Sequence, residues 1–209
     1  MTMAETKDLF VLAADRDIEQ TVLGLLPRTH ALQIRQVSAE VKPFSRHDAG
    51  CRVEGVSVLR SLAGQFRHAI LIFDFDGSGA NVTSATELEQ QLEAELRNAG
   101  WGDNSAVIVI EPEIEAWVWA ESPHVATILG WSDVQNLSGW LQLEGFMKSS
   151  GAKPEDPKNA MEAALKHVRK KPSSSIFKEL AEKVALKGCT DRSFNKFVST
   201  LQLWFPTET

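Results

Sequence analysis

The sequence predicts an α/β fold: a mostly parallel four-stranded sheet flanked by helices, with a C-terminal helical subdomain packed on it. Three observations predict it. Ala69–Phe73 and Ala106–Ile110 are uncharged apolar runs of strand length, the pattern of strands buried on both faces of a parallel sheet. Between residues 8 and 110, strand-like runs alternate with helical periodicity, which calls for crossover connections. Beyond Glu121 no further strand-like run occurs. The expected units are therefore 1–121, the sheet domain, and 122–209, the helical subdomain.

Leu9–Ala14 is the first apolar run. Asp15-Arg-Asp17 follows, then Ile18, Val22, Leu25 and Leu26 recur at helical spacing until Pro27 stops the helix. Leu32–Val37 alternates and reads as a half-exposed second strand near the sheet edge. A polar loop, Lys42–Gly50, carries Arg46, His47 and Asp48 in a row. Val53, Val56, Leu59, Leu62 and Ala63 form the next helix face, and Ala69–Phe73 is the third strand. Residues 84–99 read as an amphipathic helix ended by Gly100, and Ala106–Ile110 is the fourth strand. Pro112–Ala120 reads as a helix with Pro112 at its first position and with Ile114 and Trp117 facing the core. Short helices are expected over Ser122–Gly130 and Ser132–Leu143, then a loop over Gly145–Gly151. A helix bearing Met161, Ala164, Leu165 and Val168 follows. The next is capped within Ser173–Ser175 and buries Ile176, Phe177, Leu180 and Val184. Asp191 caps the last, whose core face is Phe194, Phe197, Val198 and Leu201.

In open parallel sheets, ligands bind at the carboxyl ends of the strands. Acid follows every expected strand: Asp15 and Asp17, then Asp48 beside Arg46 and His47, then Asp74 and Asp76, then Glu111, Glu113 and Glu115. Residues two apart on an extended chain point the same way, so Asp74 and Asp76 are expected to converge, with Gly77 and Gly79 allowing a tight turn behind them. Two close carboxylates repel unless a cation or shared proton intervenes. Mg²⁺ or Mn²⁺ is the expected cation, because hard oxygen ligands and only one or two carboxylates suffice. The candidate catalytic residues are Asp74, Asp76, Glu115, Asp15, Asp17 and His47. Asp74, Asp76 and Glu115 are the candidate metal ligands, with Asp15 or Asp17 as the alternative third. The bland alternative is a row of solvated acidic turns.

Net charge is −6 but uneven: residues 1–147 carry 10 Lys/Arg against 21 Asp/Glu, and residues 148–209 carry 12 against 7. An acidic sheet half beside a basic helical half fits a metal site next to a phosphate-contacting surface. Arg46, Lys153, Lys158, Arg169, Lys170 and Lys171 are the candidate nucleic-acid contacts, with solvated lysines as the alternative. Cys51 and Cys189 have no metal-like spacing and read as packed thiols. No run is long enough for a membrane span, and the acidic N-terminal stretch is unlike a signal peptide, so the expectation is a cytoplasmic protein.

Asp74-Phe-Asp76 with Gly79 at the end of a third strand resembles the Toprim domain of topoisomerases, primases and overcoming-lysogenization-defect nucleases. Pro112-Glu-Ile-Glu-Ala-Trp117 is similar to a Pro-Glu-Leu-Glu-Ala-Trp signature of a bacterial Toprim-like family. Arg46-His-Asp-Ala-Gly50, Lys153-Pro-Glu-Asp-Pro-Lys158 and the closing Trp204-Phe-Pro206 resemble the small Toprim-like component of methylation-associated phage-defence cassettes. The resemblance implies Mg²⁺-dependent phosphodiester chemistry at Asp74 and Asp76, and other defence proteins as partners. One departure stands out. The family's strand-one glutamate falls at Ala13, which leaves Asp15 or Glu115 to replace it, or implies a catalytically silent scaffold that binds a nucleic acid or protein. Phe73-Asp-Phe-Asp-Gly-Ser78 also resembles the first motif of haloacid-dehalogenase phosphatases. That family places the motif on the first strand, however, and wants a late Gly-Asp-x-x-x-Asp, where Gly102-Asp103 has Val107 in the second acidic position.

Overall fold

A computed structural model describes residues 6–120, 122–148 and 153–207. Four parallel strands form one sheet in the order β2-β1-β3-β4: β1 (Lys7–Ala13), β2 (Ala39–Pro43), β3 (Phe66–Asp74) and β4 (Ser105–Ile110). The expected α/β class and parallel sheet are thus present. β3 lies between β1 and β4, and every residue from Ala69 to Phe73 is fully buried, as its uncharged run requires. Among the described residues, no helix is long and apolar enough to cross a membrane.

Helix α1 (Arg16–Leu25) follows β1 directly, because Asp15 accepts from the N–H groups of Asp17 and Ile18 and so caps it. The second strand is displaced from its expected place. Leu32 ends a single helical turn, α2 (Thr29–Leu32), and Ile34 forms an isolated bridge with Pro206. The alternation of Leu32 and Ile34 is real, and both are buried. It faces the C-terminal segment instead of the sheet: Gln202 Nε2 donates to the Leu32 carbonyl, and Arg35 N–H to that of Phe205. The edge strand itself is Ala39–Pro43, where only Val41 is buried and a terminal proline is tolerated.

Helix α3 (His47–Arg60) leads to β3, and α4 (Ala85–Leu96), capped by Ser84, leads to β4 through one wider turn, Arg97–Trp101. Gly100 adopts φ +101° there, a conformation that costs glycine least. β4 is apolar yet lies at an edge, so its outward backbone groups need partners. Glu93 accepts from the Val107 N–H at 3.0 Å, and Glu89 from that of Val109 at 2.8 Å. Arg192 donates to the Val109 carbonyl and pairs with Glu89, and Lys196 joins both glutamates. A charged clamp from two helices closes the edge.

Among the described residues, six helices follow: α5 (Glu115–Val118), α6 (Pro123–Leu129), α7 (Val134–Leu143), α8 (Pro157–His167), α9 (Ser174–Lys183) and α10 (Arg192–Trp204). The expected caps Ser173 and Asp191 are in place, and Ile114 and Trp117 are buried. Pro112 does not begin a helix. The Glu111–Pro112 peptide is cis, the Pro112 carbonyl accepts from Asp76 N–H, and the helix starts only at Glu115. Helix α9 lies against α1, and α10 against β4. Trp204 stacks on His68 of β3 with ring centroids 4.4 Å apart.

Candidate functional site

The chain passes from β1 to β2 on one side and then crosses to β3 on the other, so the strand order reverses between β1 and β3. That reversal opens the crevice where α/β sheets hold ligands. Asp15 follows β1 there, and Asp74 ends β3.

Asp74 is 6% exposed, and its Oδ1 is buried without a hydrogen-bond partner. Burial first, then the charges of Asp48, Asp15 and Glu115, hold its carboxyl well above the usual range, opposed by a hydrogen bond from Ile114 N–H. Asp48 Oδ1 accepts from Asp74 N–H at 2.9 Å, which seats α3 beneath the end of β3. The Asp48 carboxyl is itself raised, by burial and then by Asp15, against that hydrogen bond. Glu115 is raised to about 7, chiefly by burial, with Glu113 and Asp17 adding to it and Lys158 opposing. Asp17 is raised by burial and by Asp15, and accepts a hydrogen bond from the Ser174 side chain.

The expected convergence of Asp74 with Asp76 does not occur. β3 ends at Asp74, Gly77 turns the chain at φ +89°, and Ser78 N–H bonds back to the Phe75 carbonyl. The two-residue repeat of a strand therefore stops before Asp76, which is exposed. Asp48, and not Asp76, is the acid that accepts the Asp74 N–H and, next after burial, raises its carboxyl. Asp48 is legible as a strand-end acid, but no spacing in the sequence links it to Asp74, 26 positions on. Ser174 carries no such signal either, because its hydrogen bond to Asp17 joins the first turn of α1 to a helix far along the chain.

The other candidates divide. His47 is exposed and lines a groove of about 450 Å³ with Asp15, Asp17, Phe44 and Ser174. Asp17, Glu115 and Lys158 line an adjoining cleft of about 270 Å³, roofed by Met161, Leu165 and Phe177. Among the proposed phosphate contacts, Lys158 pairs with Glu113 and Lys153 donates to the Ala116 carbonyl. Lys170 donates to the Ile128 carbonyl, and Arg46 pairs with Glu54. Arg169 and Lys171 are exposed. Glu111 turns away to Arg192 at the β4 edge. Cys51 is buried, its thiol pushed far up by burial, Asp48 and Asp15, as a packed thiol should be.

Ala13 is fully buried in the sheet, so no side chain reaches the crevice from the last residue of β1. Gly102 and Asp103 precede β4, at the opposite end of the sheet, and Asp103 pairs with Arg97. The second motif required by a haloacid-dehalogenase site is thus not near Asp74. Among the described residues, no three His, Cys, Asp or Glu side chains are arranged to enclose a metal ion. A cation at Asp74 would have one or two carboxylates and otherwise water or phosphate oxygens, a ligand set that suits Mg²⁺. The unpartnered Asp74 oxygen fits that role. Comparisons of the chain with protein-family models, with curated proteins and with solved structures found no match.

Proposed function

We propose that the protein is a Toprim-like component of a bacterial phage-defence system, and that its strand-end crevice performs Mg²⁺- or Mn²⁺-dependent phosphodiester chemistry. The observation that carries this is Asp74: a buried carboxyl with an unpartnered oxygen, at the β1/β3 reversal, in the field of three further acids. Asp74 with Asp48 or Asp15 would hold the cation, which would polarise a bound phosphate oxygen. Glu115, its carboxyl raised to about 7 by burial, is matched to proton transfer near neutral pH, and Lys158, paired with Glu113, lines the same cleft. The free cysteines agree with a reducing, cytoplasmic setting.

Ala13, and the absence of a three-carboxylate cage among the described residues, favour a second reading, a catalytically silent scaffold that binds nucleic acid or defence proteins. Calorimetry with Mn²⁺ on the wild type and Asp74→Ala, paired with incubation of end-labelled DNA and RNA, separates the two. Metal binding lost in the variant, with cleavage in the wild type, supports the enzyme. Identical titrations would remove the metal site, and binding without cleavage would support the scaffold.

A further inference from the structure

Four aromatic rings gather on the helical half, on elements other than those that carry Asp15, Asp48 and Asp74. Trp131, just after α6, stacks on His167 at the end of α8, with centroids 5.0 Å apart and planes 13° apart. Trp140 of α7 contacts both, at 5.2 Å and 5.0 Å, and Phe146 stacks on Trp140 at 5.9 Å. None of these rings is fully buried and His167 is exposed; Leu143, on the same helix as Trp140, is 83% exposed. The Trp131 indole N–H is buried with no partner, although a tryptophan built only into a core normally finds one.

A basic turn lies directly beside these rings. From Ala163 to Lys178 there is no Asp or Glu, while Lys166, Arg169, Lys170 and Lys171 fall within six positions. Arg169 takes φ +56°, and Lys170 N–H bonds to the Leu165 carbonyl, folding the turn back on α8. Lys170 crosses to the Ile128 carbonyl and passes within 3.6 Å of where a Cβ on Gly130 would stand, so the turn is held next to Trp131. Lys166, Arg169 and Lys171 remain exposed. The turn then runs straight into Pro172, Ser173 and Ser174, which form the lip of the acid-lined cleft.

Partly exposed rings beside an acid-free basic track are the physical requirements of a single-strand site: ring faces take up bases regardless of sequence, and cations follow the backbone. A duplex, with its bases stacked inside, offers the rings nothing. We propose that Trp131, Trp140, His167 and Phe146, together with Arg169 and Lys171, form a binding platform for single-stranded nucleic acid that leads toward the cleft. The platform stands on its own rings and charges and does not depend on chemistry at Asp74.

The test is a fluorescence titration of the full chain with single-stranded oligothymidylate, its ribonucleotide counterpart and a duplex of equal length. EDTA is present throughout, so metal at the cleft does not enter. Trp140→Leu should bind single strands about 5- to 150-fold more weakly. The exposed His167→Ala change serves as the second ring variant if Trp140→Leu does not fold. Arg169→Ala/Lys171→Ala should lower the slope of log affinity against log salt by about 0.7 per side chain. The proposal is overturned by no binding at low salt, as a protein ligand for this face would give. Equal affinity for duplex and single strand, or unchanged affinity in folded ring variants, would overturn it as well. A failure here leaves the Mn²⁺ test of Asp74 untouched, and the reverse holds.

Discussion

Replacing Glu115 with glutamine should stabilise the protein, and only above a certain pH. Glu115 is 7% exposed, and burial lifts its carboxyl from 4.5 to about 7. Between those values the folded chain holds a proton that the unfolded chain has released. Stability therefore falls as pH rises through this window and levels off above it. A shift of this size, at about 1.4 kcal/mol per unit, costs the wild type on the order of 3 kcal/mol at pH 8. Glutamine keeps the shape and carries no titrating proton. Lys158 still has Glu113 as its partner, so the substitution strands no cation. The variant should match the wild type near pH 4 and exceed it near pH 8, by roughly 6–12 °C in melting temperature for a chain of this length. Thermal melts followed by circular dichroism across that range measure it. An offset equal at both ends of the range, or a variant less stable at pH 8, would refute the assignment of Glu115 as a buried acid in a repulsive field.

Asp74→Asn follows the same sign, since burial and acidic neighbours raise Asp74 as well. The variant should gain stability over the wild type as pH rises, and should lose any rise in melting temperature that Mn²⁺ gives the wild type, both read by melts with and without the ion. Gly24→Ala tests how closely α1 and α9 approach. A Cβ there would stand 2.7 Å from the Lys178 carbonyl oxygen and 2.9 Å from Ala181 Cβ. Backbone cannot swing aside, so overpacking outweighs the helix-propensity gain and the net cost should be about 1–2 kcal/mol. A urea midpoint unchanged or raised would show that the contact yields.

The strands with unbroken apolar runs were legible because their pattern admits one burial state. Ala69–Phe73 and Ala106–Ile110 could only lie inside a sheet. Leu32–Val37 misled because alternation reports a buried side without saying what buries it, and here the C-terminal segment does so through Pro206, Phe205 and Gln202. Asp76 misled for a related reason: strand periodicity was carried one turn past the end of the strand. The acids at strand ends were visible as a set, but which of them interact was not. Asp48 is coupled to Asp74 through a backbone N–H 26 positions away, and no spacing rule reports such a contact.

The acid cluster is also a product of both halves of the chain. Asp17 and Glu115 both lie before residue 116, yet the side chains that enclose them in their cleft come later. Ser174 bonds Asp17, Lys158 ties Glu113, Lys153 holds the Ala116 carbonyl, and Met161, Leu165 and Phe177 roof the cleft. Without that cover, Asp17 and Glu115 would be solvated and would titrate in the ordinary range. Packing α8 and α9 over them raises Asp17 and Glu115 and makes the pocket costly to fold at neutral pH. Natural proteins keep such a cost where a ligand relieves it or where the raised proton affinity is used. Helix α8 also carries His167 and runs into the basic turn, while Trp131 follows α6 and Trp140 lies on α7, both packed beside it, so one element that closes the acidic cleft also supplies part of the surface that would deliver a polyanion to it.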